Sequence, residues 1–393
     1  MPISDLLFAI PTFLIVLSII VVVHEMGHFW AARLNGVAVD AFSVGWGKSL
    51  VEWRDRTGVR WKLGRWPIGG FVKFKGDENA ASMPMTASYE DPAERAAARA
   101  QGILQAMPLP VRALVAAAGS LSNFLFATLA FAALAMIVGR DVEKAGPPEI
   151  GWVQEESAAA AAGLQPGDRL LAQNGAPITS YKAFQALVRE SAGQPLRLRV
   201  QRETAERSVT LTPRPQAVTD PTGKTRTIGV IGIARAQNIV RLGPLQALRA
   251  GAEETWAWIA RQALLIGNLL TGQASAGNLA GPIGIAQLSG QVAKSALQAE
   301  PAGGGAAAAG NLALSLLQLC AVLSVAIGFI NLLPLPVLDG GALAFFLIEA
   351  LRGRPLGPRG QNIAYTVGLA LVAILFLFAT WNDLQRVLTG AAG

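Results

Sequence analysis

Apolar and polar positions divide the chain into four long apolar stretches and the more polar segments between them. The apolar stretches cover residues 6–29, 111–138, 312–333 and 363–380. A helix of roughly 20 residues crosses a bilayer core of about 30 Å, and each stretch has about that length. The pattern therefore predicts four transmembrane helices. The first stretch follows no Lys or Arg and contains no small-residue cleavage site, so we expect a retained span rather than a signal peptide.

The polar segment at residues 31–110 shows the two-residue period of β-strands. The sequences SLVEW and VRWKL flank a turn at residues 55–58, and FVKFK follows Gly69 and Gly70. This arrangement predicts a small β-sheet that contains a hairpin. A short helix is expected near residues 94–105.

The longer segment between the second and third spans combines several patterns. Short β patterns surround a helix near residues 181–191, which predicts a compact α+β module over residues 149–213. Residues 244–270 repeat apolar positions every three or four residues, which predicts an amphipathic helix suited to a membrane interface. The low-complexity run at residues 301–310 predicts a flexible linker.

Composition and charge support a membrane protein. Hydrophobic residues make up 52% of the chain and charged residues 15%, whereas soluble domains average about 25% charged residues. A soluble single-domain enzyme and a disordered chain are therefore both disfavoured. The net charge is +7, but the basic residues lie beside the apolar stretches and do not form clusters interleaved with aromatics. We expect no nucleic-acid partner and interpret the excess as a signal of membrane orientation.

The basic residues set the expected orientation. The segment that follows the first span holds eleven of them: Arg33, Lys48, Arg54, Arg56, Arg60, Lys62, Arg65, Lys73, Lys75, Arg95 and Arg99. Residues 1–10 hold none, so the positive-inside rule puts this segment in the cytoplasm and the N-terminus outside. The long segment from 139 to 311 and the C-terminus are then external, and long translocated domains are exempt from the charge rule.

These patterns divide the chain into seven predicted segments. They are the first transmembrane helix (1–30), the cytoplasmic loop with its β-hairpin (31–110), the second transmembrane helix (111–139), the α+β module (145–215), an external strand with the amphipathic helix and linker (216–311), the third transmembrane helix with a following helix (312–351), and the fourth transmembrane helix (361–388).

The candidate chemistry lies at the end of the first span. His24, Glu25 and His28 form an H-E-x-x-H sequence, and the two histidines are the only ones in the chain. Residues four apart share a helix face, so both imidazoles can reach one metal ion while Glu25 accepts a proton from the attacking water. Zinc is the expected ion for such ligands. The alternative is a helix end whose polar residues merely meet lipid headgroups, but ionisable groups in an apolar run usually mark function.

Catalytic zinc sites usually use three protein ligands and leave one position for water. The third span enters the membrane from the same side as the first, and its end returns to the depth of His24 with the sequence NLLPLPVLDGG. This places Asp339 at matching depth, whereas Glu349 lies beyond it and Asp5 and Asp383 lie at the external ends. Asp339 is thus the expected third ligand. The alternative is a turn in which Asp339 only caps the following helix.

The ordered motifs of the chain resemble the site-two protease family of intramembrane zinc metalloproteases, in particular its bacterial regulator-of-sigma-E protease branch. The likeness rests on HEMGH in the first span, SVGWGKSL, PIGGFVKF, AAGSLSNFLFA in the second span, AAGLQPGDRLLAQNG, NLAGPIGIAQ and GFINLLPLPVLDGG. It implies that one Zn²⁺ per chain is bound by His24, His28 and Asp339, with Glu25 as the general base. It further implies that Asn331 contacts or positions the substrate backbone.

The resemblance also implies a fold and a location. The fold class is an α-helical polytopic membrane protein with four transmembrane helices, a cytoplasm-side membrane-associated β-sheet and one external α+β domain similar to PDZ domains. The implied location is the bacterial inner membrane, with the active site near the cytoplasmic face. The implied reaction is cleavage of single-span membrane proteins in the lipid bilayer, such as release of an anti-sigma factor or removal of signal-peptide remnants.

The resemblance gives substrate-binding candidates in the cytoplasmic loop. A re-entrant β-loop of the family corresponds to Gly69, Gly70, Phe71, Val72, Lys73 and Phe74. Its edge would pair with an unwound substrate, and the alternative is an ordinary solvent-facing hairpin. For Asn331 the alternative is a polar residue that bonds to a neighbouring span.

The PDZ-like module gives a second candidate binding region. The predicted groove residues are Gly163, Leu164, Gly167 and Asp168. The groove would accept an extended peptide or a C-terminus, or it is covered and the module acts only as a steric filter. Two other functions stay open for the whole chain, namely a non-catalytic PDZ-bearing membrane scaffold and a zinc transporter.

Overall fold

The structure is a computed structural model, and it describes residues 3–77, 89, 91–144, 146–219, 225–273, 281–298 and 304–389. The chain divides into two compact units. The first unit contains residues 1–134, 245–264 and 277–393, and the second unit contains residues 135–244 and 265–276.

Helices dominate the first unit. In chain order, the α-helices of the described residues in both units are α1 (Ile3–Leu34), α2 (Pro92–Ala100), α3 (Leu109–Ile137), α4 (Ala158–Ala161), α5 (Tyr181–Glu190), α6 (Pro244–Leu270), α7 (Pro282–Gln298), α8 (Gly304–Asn331), α9 (Asp339–Arg352) and α10 (Pro358–Thr389). A 3₁₀ turn at Leu104–Ala106 follows α2. Among the described residues, α1, α3, α8 and α10 are the four helices long and apolar enough to span a membrane.

Small residues let α1, α3 and α8 pack closely. Ala127 of α3 and Ala321 of α8 are fully buried in one cluster, and Val16 of α1 packs with the same helix α8 in another. A Cβ atom added to Gly27 of α1 would lie 2.3 Å from the Ala118 carbonyl oxygen, so the two backbones approach as only glycine allows. This three-helix contact brings distant parts of the sequence to one site.

Two long strands form the sheet that precedes α2. They are β1 (Val39–Arg54) and β2 (Arg60–Phe74). Phe42 has register partners in both halves of β2, so the first half of β1 lies between them. The turn between the strands is held by Asp55, whose pKa falls to about 2 because it accepts hydrogen bonds from Trp61 and Thr57. The predicted hairpin is thus present, within a larger sheet.

The second unit is an α+β unit whose strands come from both of its ends. Its strands are β3 (Arg140–Asp141), β4 (Ile150–Val153), β5 (Arg169–Gln173), β6 (Ala176–Pro177), β7 (Leu196–Arg202), β8 (Ala205–Leu211), β9 (Arg214–Thr219), β10 (Thr225–Val230), β11 (Ile233–Arg235) and β12 (Ile239–Val240). The antiparallel pairs β11–β4 and β12–β3 join the two ends of the unit. The predicted end of this module at residue 215 is therefore too early, because the closing strands are distant in sequence from their partners.

Two further differences from the sequence predictions concern helices. The run predicted as a linker at 301–310 is helical from Gly304, because its alanines favour a helix and extend α8 by about two turns. Residues 301–303 lie outside the described part.

Helix α7 has no counterpart in the predictions. Its N-terminus is held by α10, since Gly281 and Gly284 donate their backbone N–H groups to Asp383 at 3.0 and 2.8 Å.

Candidate active site

The two histidines of α1 face each other one turn apart. Their Nε2 atoms lie 3.2 Å from each other, and both side chains are buried. The Nδ1 atom of His28 lies 2.8 Å from the Val115 carbonyl oxygen on α3. Because residues four apart lie on one face of a helix, the sequence spacing alone produces this pairing.

Asp339 completes the cluster from a different helix. Its Oδ2 atom lies 3.1 Å from Nε2 of His24 and 3.4 Å from Nε2 of His28. Pro334 and Pro336 prevent α8 from continuing as a helix, and α9 then begins at Asp339. The N-cap of α9 is Leu338, so Asp339 is not the capping residue that the alternative interpretation required. Its carboxylate is directed to the imidazoles instead.

The distances within this cluster fit a tetrahedral metal ion. Zinc binds nitrogen and oxygen ligands at about 2.0–2.1 Å, so two ligands at the tetrahedral angle lie about 3.3 Å apart. The three observed separations are 3.1, 3.2 and 3.4 Å. Oδ2 of Asp339 is also buried without a well-formed hydrogen bond among the described residues. A cation explains both the convergence of three acceptor atoms and this orphaned oxygen.

Glu25 lies beside this cluster and next to β2. A Cβ atom on Gly70 would lie 3.3 Å from Cγ of Glu25, so this stretch of β2 passes close to α1. Residues 70–74 pair with β1 along one edge. The structure thus brings a strand of the sheet close to the predicted general base.

Of the other substrate-binding candidates, Asn331 lies beside the cluster, and the rest belong to β2. Nδ2 of Asn331, at the end of α8, lies 3.4 Å from Nε2 of His24. Gly69 has a positive φ of 83° and lies against the Trp46 ring, while Phe74 is buried in the core below the sheet. Phe71 and Lys73 are register partners of β1, opposite Ser43 and Ala41.

Sequence reasoning did not identify the contribution of α3 to this site. Gly119 and Asn123 of α3 both contact the histidines: a Cβ on Gly119 would lie 2.3 Å from Nε2 of His28, and Nδ2 of Asn123 lies 3.3 Å from Nδ1 of His24. The available signal was a Gly and an Asn four residues apart in an otherwise apolar span. Such spacing puts both on one helix face.

The predicted groove residues of the second unit occupy core, turn and ion-pair positions. They are not among the residues that line the cavity described in the next paragraph. Leu164 is buried in the core, and Gly163 and Gly167 occupy turn positions with positive φ. Burial opposes ionisation of Asp168, but hydrogen bonds from Arg202 and Gln165 outweigh it and hold its pKa below the usual value. These contacts show how the four residues support the fold, and their assignment to a peptide-binding groove stays a prediction.

A cavity of about 310 Å³ lies elsewhere in the second unit. It is bounded by α5 and by residues 228–233, with Phe184 and Val188 among its apolar walls. The Tyr181 hydroxyl donates a hydrogen bond of 3.0 Å to the Ile233 carbonyl oxygen at its edge. Burial raises the pKa of Tyr181, so this hydroxyl keeps its proton at neutral pH.

Comparison with known proteins identifies the family. The model of peptidase family M50 matches residues 12–375, which include all the residues of the cluster. The chain belongs to peptidase family M50. The chain is also similar to a protein of Rhizobium meliloti that carries the name "Putative zinc metalloprotease R01501", with 41% identity over 97% of this chain and 98% of that protein's length.

Two further M50 relatives carry more specific names. Metalloprotease MmpA of Caulobacter vibrioides is 38% identical over 97% of this chain and 96% of its own. Regulator of sigma-E protease RseP of Salmonella typhimurium is 30% identical over 98% of this chain and its full length. Among solved structures, the PDZ domain of the SdrC-like protein of Listeria monocytogenes matches 24% of this chain and 93% of its own at 18% identity, with a TM-score of 0.19. A likeness of that size carries no argument about the fold.

Family membership and the four apolar helices agree with each other. The chain is a zinc metalloprotease of the site-two type and a multi-pass inner-membrane protein. The predicted resemblance and enzyme class are thereby confirmed. The roles of individual residues, the metal count, the orientation and the PDZ-like character of the second unit stay predictions.

Proposed function

We propose that this M50 peptidase hydrolyses peptide bonds in or beside transmembrane helices, with one zinc ion held by His24, His28 and Asp339. The supporting observation is the convergence of their Nε2 and Oδ2 atoms within 3.1–3.4 Å of one another. Glu25 is the general base. Its position beside both ligands of α1 matches the role of the glutamate in an H-E-x-x-H helix.

Each side chain has a defined task in this reaction. Zinc bound here supplies Lewis-acid polarisation of the scissile carbonyl and lowers the pKa of the attacking water. Glu25 accepts the proton of that water and then delivers it to the amine that leaves. Nδ2 of Asn331, 3.4 Å from His24, donates to the carbonyl oxygen as negative charge develops on it.

The substrates are single-span membrane proteins that unwind locally at the cut. In a helix the carbonyl groups are engaged in hydrogen bonds to the N–H four residues on, so attack requires these bonds to open. Backbone groups cannot stay unpaired in lipid. Residues 70–74 lie close to Glu25 and pair with β1 along one edge, and their other edge can satisfy these groups by adding the substrate as a further strand. Sequences that break helices near the cut should therefore be preferred.

The second unit is proposed to be an external domain similar to PDZ domains. Its cavity, between α5 and residues 228–233, is the candidate place for an extended peptide or a C-terminus. If the cavity takes no peptide, the unit acts as a steric filter for substrates with large external domains. The natural substrate class suggested by the name RseP of the Salmonella relative is a regulator of a sigma factor.

The decisive experiment compares purified wild-type protein with the Glu25→Gln variant on a tagged single-span substrate in detergent. The variant is isosteric and leaves His24, His28 and Asp339 intact, so it should retain zinc and lose cleavage by at least about 100-fold. Glu190→Gln is the matched control, since Glu190 is an exposed glutamate of α5 far along the chain from the cluster. It should cleave like the wild type.

Three outcomes separate the interpretations. Cleavage by wild type and control alone, blocked by a zinc chelator, supports the proposal. Cleavage by Glu25→Gln at the wild-type rate overturns the role of Glu25. Loss of both zinc and activity in Glu25→Gln would assign the residue to the integrity of the metal site instead.

A further inference from the structure

Helix α3 supplies none of the three candidate ligands, yet it lies against the Nδ1 atoms of both histidines. Nδ1 of His28 lies 2.8 Å from the Val115 carbonyl oxygen. Nδ1 of His24 lies 3.3 Å from the side-chain amide of Asn123, and Asn123 is fully buried. The groups that accept the second ring N–H of a metal-binding histidine fix its tautomer and orientation, and their loss lowers metal affinity. These two contacts therefore bear on the metal site.

The metal-facing geometry fixes the tautomer of each ring. Both Nε2 atoms converge with Oδ2 of Asp339 and would bind the ion through their lone pairs. A neutral imidazole then carries its proton on Nδ1, which becomes a hydrogen-bond donor and requires an acceptor. The Val115 carbonyl satisfies this requirement for His28. For His24 the nearest group, Nδ2 of Asn123, is itself a donor and does not.

Asn123 contains the missing acceptor. Its Oδ1 atom is buried and has no hydrogen-bond partner among the residues that the structure describes. A buried oxygen atom without a hydrogen-bond partner destabilises the fold. A half-turn about the Cβ–Cγ bond exchanges Oδ1 and Nδ2 with almost no change in shape. The exchange places an acceptor opposite Nδ1–H of His24 and removes the mismatch of two donors.

We propose that Asn123 is a positioning residue of the metal site, whose side-chain oxygen accepts the Nδ1–H of His24 and thereby holds Nε2 toward the ion. This inference rests on the proposed role of His24 as a ligand. Asn123 touches neither the ion nor the substrate, so its effect is on metal binding first. Removal of such a partner lowers metal affinity by about 10- to 100-fold.

The test measures zinc affinity of the full-length protein in detergent by competition with a chelator. Asn123→Asp is isosteric and has only acceptor atoms, so it should bind zinc at least as tightly as the wild type. Asn123→Leu fills similar volume without an acceptor and should bind about 10- to 100-fold more weakly. Cobalt substitution provides a second readout, because a displaced His24 changes the visible absorption of bound Co²⁺ while a purely structural defect does not.

Ser324→Ala is the matched control for helix packing. Its hydroxyl donates to the backbone carbonyl oxygen of Asn123 at 3.1 Å, so the variant disturbs the same residue without touching His24. It should keep the wild-type zinc affinity and cobalt spectrum. The proposal is overturned if Asn123→Asp binds as weakly as Asn123→Leu, or if Asn123→Leu binds as tightly as the wild type. If Asn123→Leu does not fold, Asn123→Ala replaces it as the variant without an acceptor, and wild-type zinc affinity in Asn123→Ala overturns the proposal.

A further variant separates this inference from the proposed function. His24→Ala should abolish tight zinc binding if His24 is a ligand. If wild type and His24→Ala bind zinc equally, the proposed metal site fails. If His24→Ala loses zinc while both Asn123 variants match the wild type, only the positioning role fails.

Discussion

The backbone of α3 passes against the metal-facing atoms of the two histidines at Gly119. A Cβ atom there would lie 2.3 Å from Nε2 of His28 and 2.7 Å from Nε2 of His24. Both distances are far below van der Waals contact, so any side chain must displace at least one ring. We predict that Gly119→Ala lowers zinc affinity by at least about 10-fold, measured as zinc retained after dialysis against a chelator.

Gly310→Ala is the control for this substitution. Gly310 lies in α8, where an added Cβ meets no atom within 4 Å, so the variant should keep its zinc and gain slightly in helix propensity. Full zinc retention by Gly119→Ala would show that α1 and α3 can separate at no cost to the site. It would also weaken the inference that α3 orients the histidines.

The sequence predicts single residues well when the chemistry is local or unique. His24, Glu25 and His28 follow from one helical spacing, and Asp339 follows from the expected depth of the third span. Val115 and Asn123 could not be predicted in this way, because their roles depend on the rotation of α3 about its own axis. At Gly163 and Asp168 the sequence cannot distinguish a binding loop from a structural turn, because both contain turn glycines and an acidic residue, and the structure shows a positive φ and an ion pair there.

At the scale of elements, α9 is held at both of its ends. Asp339 begins the helix, and Glu349, near its end, receives two hydrogen bonds from Arg112 of α3 at 3.0 and 2.5 Å. The Arg112 side chain is 5% exposed and that of Glu349 12%, and the guanidinium also lies 5.0 Å from the ring centre of Phe346. This ion pair is buried, so loss of one partner leaves an uncompensated charge.

We predict a characteristic non-additivity for this pair. Arg112→Leu and Glu349→Leu should each lower the free energy of unfolding by about 3–5 kcal/mol, and the double variant should lose less than either single variant. The measurement is thermal unfolding of the purified protein in detergent. The exposed pair Arg249 and Glu253 on α6 is the control, with side chains 84% and 50% exposed, and its removal should cost about 0.5 kcal/mol or less. Additive losses in the double variant of the buried pair would contradict the prediction.

The elements themselves were predicted to different extents. Long apolar runs identify α1, α3, α8 and α10, because a membrane span needs only length and apolar composition. Helix α7 was missed, since its N-terminus depends on Asp383 of a helix about 100 residues away in sequence. The closing strand pairs of the second unit were also missed, because pairing of distant strands leaves no local period.

At the scale of the whole molecule, the distribution of Lys and Arg predicts which side of the membrane each short loop occupies. The segment after α1 is strongly basic, and the short loop between α9 and α10 carries Arg352, Arg354 and Arg359. The positive-inside rule predicts that both lie in the cytoplasm. With four spans, we then expect both termini and the second unit outside and His24 toward the cytoplasmic end of α1.

Cysteine labelling tests this orientation directly. The chain has one cysteine, Cys320, which is buried among apolar residues and can be replaced by Ala to give a background without thiols. In that background we predict that Gln194→Cys, an exposed position of the second unit, reacts with a membrane-impermeant maleimide in intact spheroplasts. Gly357→Cys, exposed in the loop before α10, should react only after the membrane is permeabilised.

The two positions serve as controls for each other, because both are exposed and differ only in the predicted side. Retained cleavage by each variant shows that the labelled molecules are folded. The reverse labelling pattern would mean that the protein has the opposite orientation in the membrane, with the cluster of His24, His28 and Asp339 near the external face. Labelling of both positions in intact spheroplasts would mean that an even number of spans separates Gln194 from Gly357, and the four-span topology, which has only α8 between them, would fail. The predicted pattern instead requires substrates to be cut toward their cytoplasmic ends, so that the released fragment enters the cytoplasm.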